Sequence, residues 1–199
     1  MTDLSGGLYA ALLIAVALER VVELALTRRN AARLARRGGR EVAVAHYRWM
    51  VLLHATFFVA APLEVALLDR PLHAPLAATM LFVLGVTMTL RYWAIASLGD
   101  RWTTTVWIVP GEPPVTRGPY RWLRHPNYLA VILELPALAL VHSAWWTALV
   151  YGVGNLLVLR ARIPAEEAAL RAHADYDAAL GHVPGLPGLS TAAAEPESR

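Results

Sequence analysis

Five apolar runs, at about residues 7–26, 49–68, 75–98, 128–142 and 145–161, constrain this chain more than any other feature. In hydrocarbon every backbone N–H and C=O must find a partner within the protein, so such runs are helices unless they alternate as barrel strands. They do not alternate. The sequence therefore predicts an all-α, polytopic integral membrane bundle of about five transmembrane helices with a cytosolic pocket. Composition agrees: 57% of residues are hydrophobic and 17% charged, against about 25% charged in a soluble domain. At about 20 residues per span, 199 residues hold four to six crossings. The fourth and fifth runs are parted only by His142, Ser143 and Ala144. They predict a tight hairpin whose members are short for two full crossings.

All 18 basic residues are arginine. Arg28, Arg29, Arg33, Arg36, Arg37 and Arg40 crowd the first loop, while the second holds only Arg70. Arg101, Arg117, Arg121 and Arg124 lie in the third, and Arg160 and Arg162 begin the tail. Cytoplasmic loops carry the excess of basic residues, so the N-terminus is expected outside and both arginine-rich odd loops and the C-terminus inside. Arginines at span ends, and not on one soluble face, argue against a nucleic-acid partner. The opening MTDLSGGLYAALL lacks a basic n-region and a cleavage site, and predicts a retained first span. From Leu189 the residues are small, polar and proline-containing. The expected organisation is one membrane domain over 1–188 and a disordered tail over 189–199.

Several chemistries are excluded. Without cysteine there is no disulfide, thiolate site or cysteine nucleophile. The histidines, at 46, 54, 73, 125, 142, 173 and 182, show no HxxxH or HxH spacing, so no metal site is expected. No GxSxG, P-loop or GxGxxG supports a hydrolase, NTPase or Rossmann site.

Two polar clusters carry the functional signal. The first is RGPYRWLRHPNYL, residues 117–129, between apolar runs. Pro126 suits the first turn of the fourth helix, which puts Arg124 and His125 at a helix N-terminus, a favourable place for an anion. Tyr128 offers an aromatic face to a cation, and a plain interfacial belt of Arg, Tyr and Trp is the alternative. The second cluster is RIPAEEAALRAHADYDAAL, residues 162–180. Pro164 predicts a new helix with Glu166 and Glu167 in its first turn, and Arg162 and Glu166, four apart, share a face. A solvated surface pair is the alternative there. Glu19, Arg20, Glu23, Glu64, Arg91 and Glu134 lie within spans, where such groups face the interior and pair. Glu64 or Glu134 with Arg91 is the expected pair, and His54 is equally a hydrogen-bonded core residue.

The order GPYRWLRHPNY, hairpin, RIPAEEAALRAHADYDAAL resembles the isoprenylcysteine carboxyl methyltransferase family. Related signatures occur in phospholipid methyltransferases and some sterol reductases. The segments ERVVELALTRRN (19–30), REVAVAHYRWMVLLH (40–54) and NYLAVILELPALALVHSAWWTAL (127–149) are similar to a bacterial membrane subgroup. Its members methylate alkylpyrones or alkylresorcinols beside type III polyketide synthases. The resemblance implies methyl transfer from S-adenosylmethionine (SAM) on the cytoplasmic side of the cell membrane, to a lipophilic acceptor entering from the bilayer. It implies that Tyr120, Arg124, His125, Asn127 and Tyr128 line the cofactor pocket and that Glu166 and Glu167 take its ribose or ammonium. Tyr176 would close the pocket. Arg162 would face the reacting centre, with Glu166 a candidate proton acceptor if the acceptor is a phenol or enol. Other acceptors in the same class are a prenylcysteine carboxylate and a phospholipid amine. A membrane reductase using NADPH and a non-catalytic scaffold for a lipid synthase are the rivals from other classes.

Overall fold

The computed structural model of the protein describes residues 2–42, 47–173 and 176–191. Five helices carry the fold: α1 (Thr2–Arg36), α2 (Tyr47–Leu67), α3 (Ala74–Leu98), α4 (Pro126–Leu140) and α5 (Trp145–His173), followed by a short α6 (Tyr176–Leu180). Each of the first five contains one apolar run almost entire. A small antiparallel ribbon joins β1 (Arg40–Val42) to β2 (Val106–Ile108), with Arg40 opposite Ile108 and Val42 opposite Val106.

Contacts at the ends of the helices show them running alternately up and down. At one end His142, after α4, lies 3.4 Å from Ser5 Oγ and stacks obliquely on Tyr9 of α1. There the Glu64 carboxylate of α2 accepts hydrogen bonds from the Thr147 N–H at 2.7 Å and the Trp146 N–H at 3.2 Å. These are donors of the first turn of α5, which have no partner within that helix, and a carboxylate there also meets the positive end of the dipole. At the other end Asn30 of α1 donates to the Trp102 carbonyl at 2.8 Å, and Tyr47 of α2 bonds Thr104 at 3.0 Å. The residues following α1 and α3 and the C-terminal part of α5 therefore share one end of the bundle.

The outward surface is hydrocarbon-like. Ile14, Val59, Phe82 and Leu157 are each at least 60% exposed. Among the described residues, Tyr47–Leu67 and Ala74–Arg101 are long and apolar enough to cross a bilayer, yet only 11% and 28% of their most apolar stretches are buried. The core helices of a soluble protein would hide such surface, so this is a helical membrane protein. The most buried helix is α4, wedged between α3 and α5 through Ala130, Val131, Leu135, Ala137, Leu138 and Ala139. Its small residues let neighbouring backbones approach closely. With 15 residues it rises about 22 Å, short of a hydrocarbon core of about 30 Å. The hairpin to α5 turns at Ser143, whose φ of 57° is left-handed.

Three expectations change. No new helix begins at Pro164, because α5 runs unbroken through it. Proline forfeits one backbone bond to the carbonyl four residues earlier, and the fully buried Leu159 and Ile163 hold the helix together around that gap. Arg91 pairs most closely with Glu23 and also with Glu134 at 4.0 Å, one of its two expected partners, whereas Glu64 caps α5 and binds Arg70 at 2.8 Å. Finally, Leu189–Thr191, placed in the expected tail, pack on the domain: the Ser190 N–H bonds Leu186 O and the Thr191 N–H bonds Glu167. Residues 192–199 lie outside the described residues.

Candidate functional site

The segment from Gly99 to His125 is folded tightly over the end of the bundle. Asn30 holds its start through the Gly99 and Trp102 carbonyls, and Arg117 Nε donates to Ser97 O at 2.9 Å. Gly118 follows with φ +62°, and a Cβ there would stand 2.0 Å from Ser97 Oγ. Only glycine permits that approach. The turn Gly118–Arg121 then delivers Tyr120, and α4 starts at Pro126 as its missing N–H allows.

Beneath this segment lies a cavity of about 200 Å³ between the loop, β2, the start of α4, α5 and α6. Tyr120, Arg124, His125, Asn127, Tyr128, Glu166 and Tyr176 all line it, together with Arg101, Trp107 and Glu112. Two distant parts of the sequence, the 117–129 junction and the 162–180 segment, thus meet around one space. Burial above all, then the nearby Glu166 carboxylate, raises the Tyr120 hydroxyl above its ordinary value and keeps it a neutral donor. Burial likewise raises Tyr176.

Glu167 is placed elsewhere. Its side chain is fully buried outside the cavity lining. His125 Nε2 lies 2.9 Å away, Arg124 Nη1 3.2 Å, and Thr191 donates to it from both N–H and hydroxyl. Burial opposes its ionisation, but the bonds from His125 and Thr191 outweigh that and hold the carboxyl down to about 2. Glu167 is an anchor that ties α5, the α4 N-terminus and the C-terminal strap together. The helical spacing placed it next to Glu166 but said nothing about which way each would point.

Arg162 faces the other way. Its Nε donates to Tyr128 OH at 2.8 Å and its Nη2 to Thr104 O at 2.5 Å. Tyr128 OH in turn donates to Glu166. The expected Arg162–Glu166 pair is therefore bridged by a phenol, not direct.

Arg162 borders a second cavity of about 310 Å³, lined mainly by α1, α2 and the start of α4. Its walls are mostly apolar, and the exposed Val21, Leu24 and Val51 flank it, so it opens between α1 and α2 onto the lipid-like surface. At one side stands a buried charge cluster. Arg91 grips Glu23 with two bonds of 2.6 and 2.5 Å, while Arg20 bonds Glu23 at 2.8 Å and Glu134 at 2.6 Å. Trp102, Thr103, Asn127 and Tyr128 line both cavities and form the wall between them. Sequence reading missed Tyr47, Met50 and His54 as lining residues. Their spacing along α2, with polar groups in an apolar run, was the signal.

A cavity carrying arginines and carboxylates thus lies beside a mostly apolar cavity that opens toward the lipid-like surface. The match to known proteins supplies the class. The model for the isoprenylcysteine carboxyl methyltransferase family matches residues 77–172, which hold most of α3, the folded loop, α4 and nearly all of α5. Bacillus subtilis strain 168 has a relative, printed as uncharacterized protein YpbQ, 35% identical over 161 residues, covering 80% of this chain and 95% of the relative. A Haemophilus influenzae relative, printed as an uncharacterized protein, is 29% identical over 153 residues, covering 76% of this chain and 88% of its own length. No solved structure matches. This chain belongs to the isoprenylcysteine carboxyl methyltransferase family and is a membrane methyltransferase.

Proposed function

We propose that the protein transfers a methyl group from SAM, held in the loop-side cavity, to an oxygen of a lipid held in the lipid-side cavity. The observation that carries this is the shared wall: the cavity richer in polar groups and the more apolar one meet at Trp102, Thr103, Asn127 and Tyr128. When bound, SAM supplies a methyl carbon activated by a sulfonium, and the protein's task is to orient and shield it. The cavity suits the cofactor. Arg101 and Arg124 are there for a carboxylate, Glu112 and Glu166 for an ammonium or ribose hydroxyls, and Leu98, Val115 and Leu170 for an adenine face. Asn127 Oδ1 is buried at the wall without a partner among the described residues, and such an atom calls for a ligand donor.

The remaining chemistry belongs to this chain. Tyr128 couples the two sides, donating to Glu166 and accepting from Arg162, so the carboxylate and the guanidinium are fixed relative to each other. Arg162 has its Nε and Nη2 anchored and its Nη1 beside Met50 Sδ, 3.8 Å away, on the lipid side. It would orient the acceptor oxygen and stabilise the oxyanion left when a hydroxyl gives up its proton. The loop and the apolar cavity exclude water. Holding the reactants in line is the main catalytic contribution for a displacement at carbon.

Similarity of 19–30, 40–54 and 127–149 to the bacterial subgroup favours a polyketide-derived alkylpyrone or alkylresorcinol as acceptor. The excess of arginine at the loop-side end supports a cytoplasmic position for that end and the C-terminus. Arg162→Ala tests the division of labour. It should lower methyl transfer by about 100- to 1000-fold while leaving SAM binding by calorimetry unchanged. Loss of binding equal to the loss of transfer would overturn the placement of Arg162 on the acceptor side.

A further inference from the structure

One chemically competent side chain of the lipid-side cavity has no part in the mechanism above. His54 lies on the face of α2 that runs Tyr47, Met50, His54, Phe58, all bordering that cavity. Its Nδ1 is 2.7 Å from the Met50 carbonyl. A carbonyl only accepts, so Nδ1 carries a hydrogen and the neutral ring keeps its lone pair on Nε2. No described residue bonds that nitrogen. Met50, one turn or about 5.4 Å away along α2, touches Arg162. An acceptor head in this cavity therefore has Arg162 at one side and the imidazole at the other.

The charged groups around the ring come from four other helices. The charged groups nearest are Arg20 and Glu23 from α1 and Arg91 from α3, with Glu134 of α4 behind Arg20 and Arg162 of α5 across the cavity. Both cluster arginines are already tied to carboxylates, and Glu19 also pairs with Arg20 at 3.0 Å. Glu166 is poorly placed for the same task. It lies in the other cavity, across Tyr128, with that hydroxyl already bonded to it.

Building on the methyl-transfer reading, we propose that His54 Nε2 takes the hydroxyl proton of the acceptor, and that the acceptor is accordingly a lipid whose head carries a phenolic or enolic hydroxyl and not a carboxylate. The O–H bond breaks and its proton goes to Nε2. The oxygen electron pair forms the new bond to the methyl carbon, while the carbon–sulfur pair stays on sulfur as a neutral thioether. The imidazolium releases its proton to water once the methylated lipid has left the cavity.

The test uses the full chain in detergent, wild type and His54→Gln, with methyl-labelled SAM and three alkylated acceptors of rising hydroxyl acidity: a resorcinol, a 4-hydroxypyrone and a nitrophenol. His54→Gln should lose about 100- to 10,000-fold in kcat with the resorcinol, with KM little changed. That loss should shrink along the series and vanish for a hydroxyl already ionised in the assay. The acid limb of the wild-type pH profile with the resorcinol should disappear in the variant. Equal SAM binding by both proteins shows that the variant is folded, and His54→Asn replaces it if it is not. A loss independent of acceptor acidity, or full activity, overturns the role of His54. Preferred methylation of a farnesylated cysteine carboxylate overturns the acceptor class while leaving methyl transfer standing. Absence of SAM binding by the wild type overturns both the inference and the reading beneath it.

Discussion

Replacing Glu167 with glutamine should destabilise the whole fold rather than selectively weaken ligand binding in the loop-side cavity. The carboxylate is fully buried and accepts from His125 and from the Thr191 N–H and hydroxyl, with Arg124 at 3.2 Å. An amide keeps one acceptor oxygen, loses the charge, and turns an NH₂ toward donors. Breaking a buried charged network by removing one partner costs about 3–5 kcal/mol. The same network holds the carboxyl at about 2 against an ordinary 4.5, on the order of 3 kcal/mol at about 1.4 kcal/mol per unit. Because the folded-state value lies below the unfolded one, this stability is complete above pH 4.5 and drains away as pH falls toward 2. Thermal unfolding in detergent should therefore show Glu167→Gln melting well below wild type at pH 7, with the gap closing between pH 4.5 and 2. Limited proteolysis should cut the strap around 183–191 faster in the variant. A variant as stable as wild type at pH 7, with weaker SAM binding as its only defect, would refute the anchor role and return Glu167 to the cofactor.

Two further substitutions probe the frame. Gly118→Ala should lower the melting temperature by several degrees, since its Cβ would meet Ser97 Oγ at 2.0 Å and its φ of +62° disfavours a side chain. Melting unchanged from wild type would mean the loop does not pack on α3 as described. Glu64→Gln should cost about 1–2 kcal/mol by weakening the cap on α5 and freeing Arg70, read as a lower midpoint in denaturant. No shift would show that α5 does not rely on that cap.

The helices were legible because lipid leaves the backbone so few options: an apolar run long enough to enter hydrocarbon has to be a helix. What followed from chain context was not. Pro164 is a strong local breaker, yet buried Leu159 and Ile163 carry the helix across it. The TTTVWIV stretch at 103–109 is rich in β-branched residues and reads as a strand, but its partner Arg40–Val42 lies some sixty residues earlier, so the ribbon was missed. Motif residues around the loop-side cavity were readable since they fall in two dense clusters. The lipid-side cavity was not, because Tyr47, Met50, His54 and the Arg20–Glu23–Arg91 cluster come from three helices and look like core polar residues when read one helix at a time. Direction also escaped: Glu166 and Glu167 are neighbours in sequence, and only packing shows that one lines the cavity and the other binds the strap.

The most direct test is whether label moves from SAM into lipid. Purified protein in detergent would be given methyl-labelled SAM with an alkylresorcinol, an alkylpyrone, a farnesylcysteine analogue or phosphatidylethanolamine, with Glu166→Ala alongside. The two-cavity mechanism predicts label in a hydroxylated lipid, lost in the variant. Saturable binding of NADPH with none of SAM would contradict it.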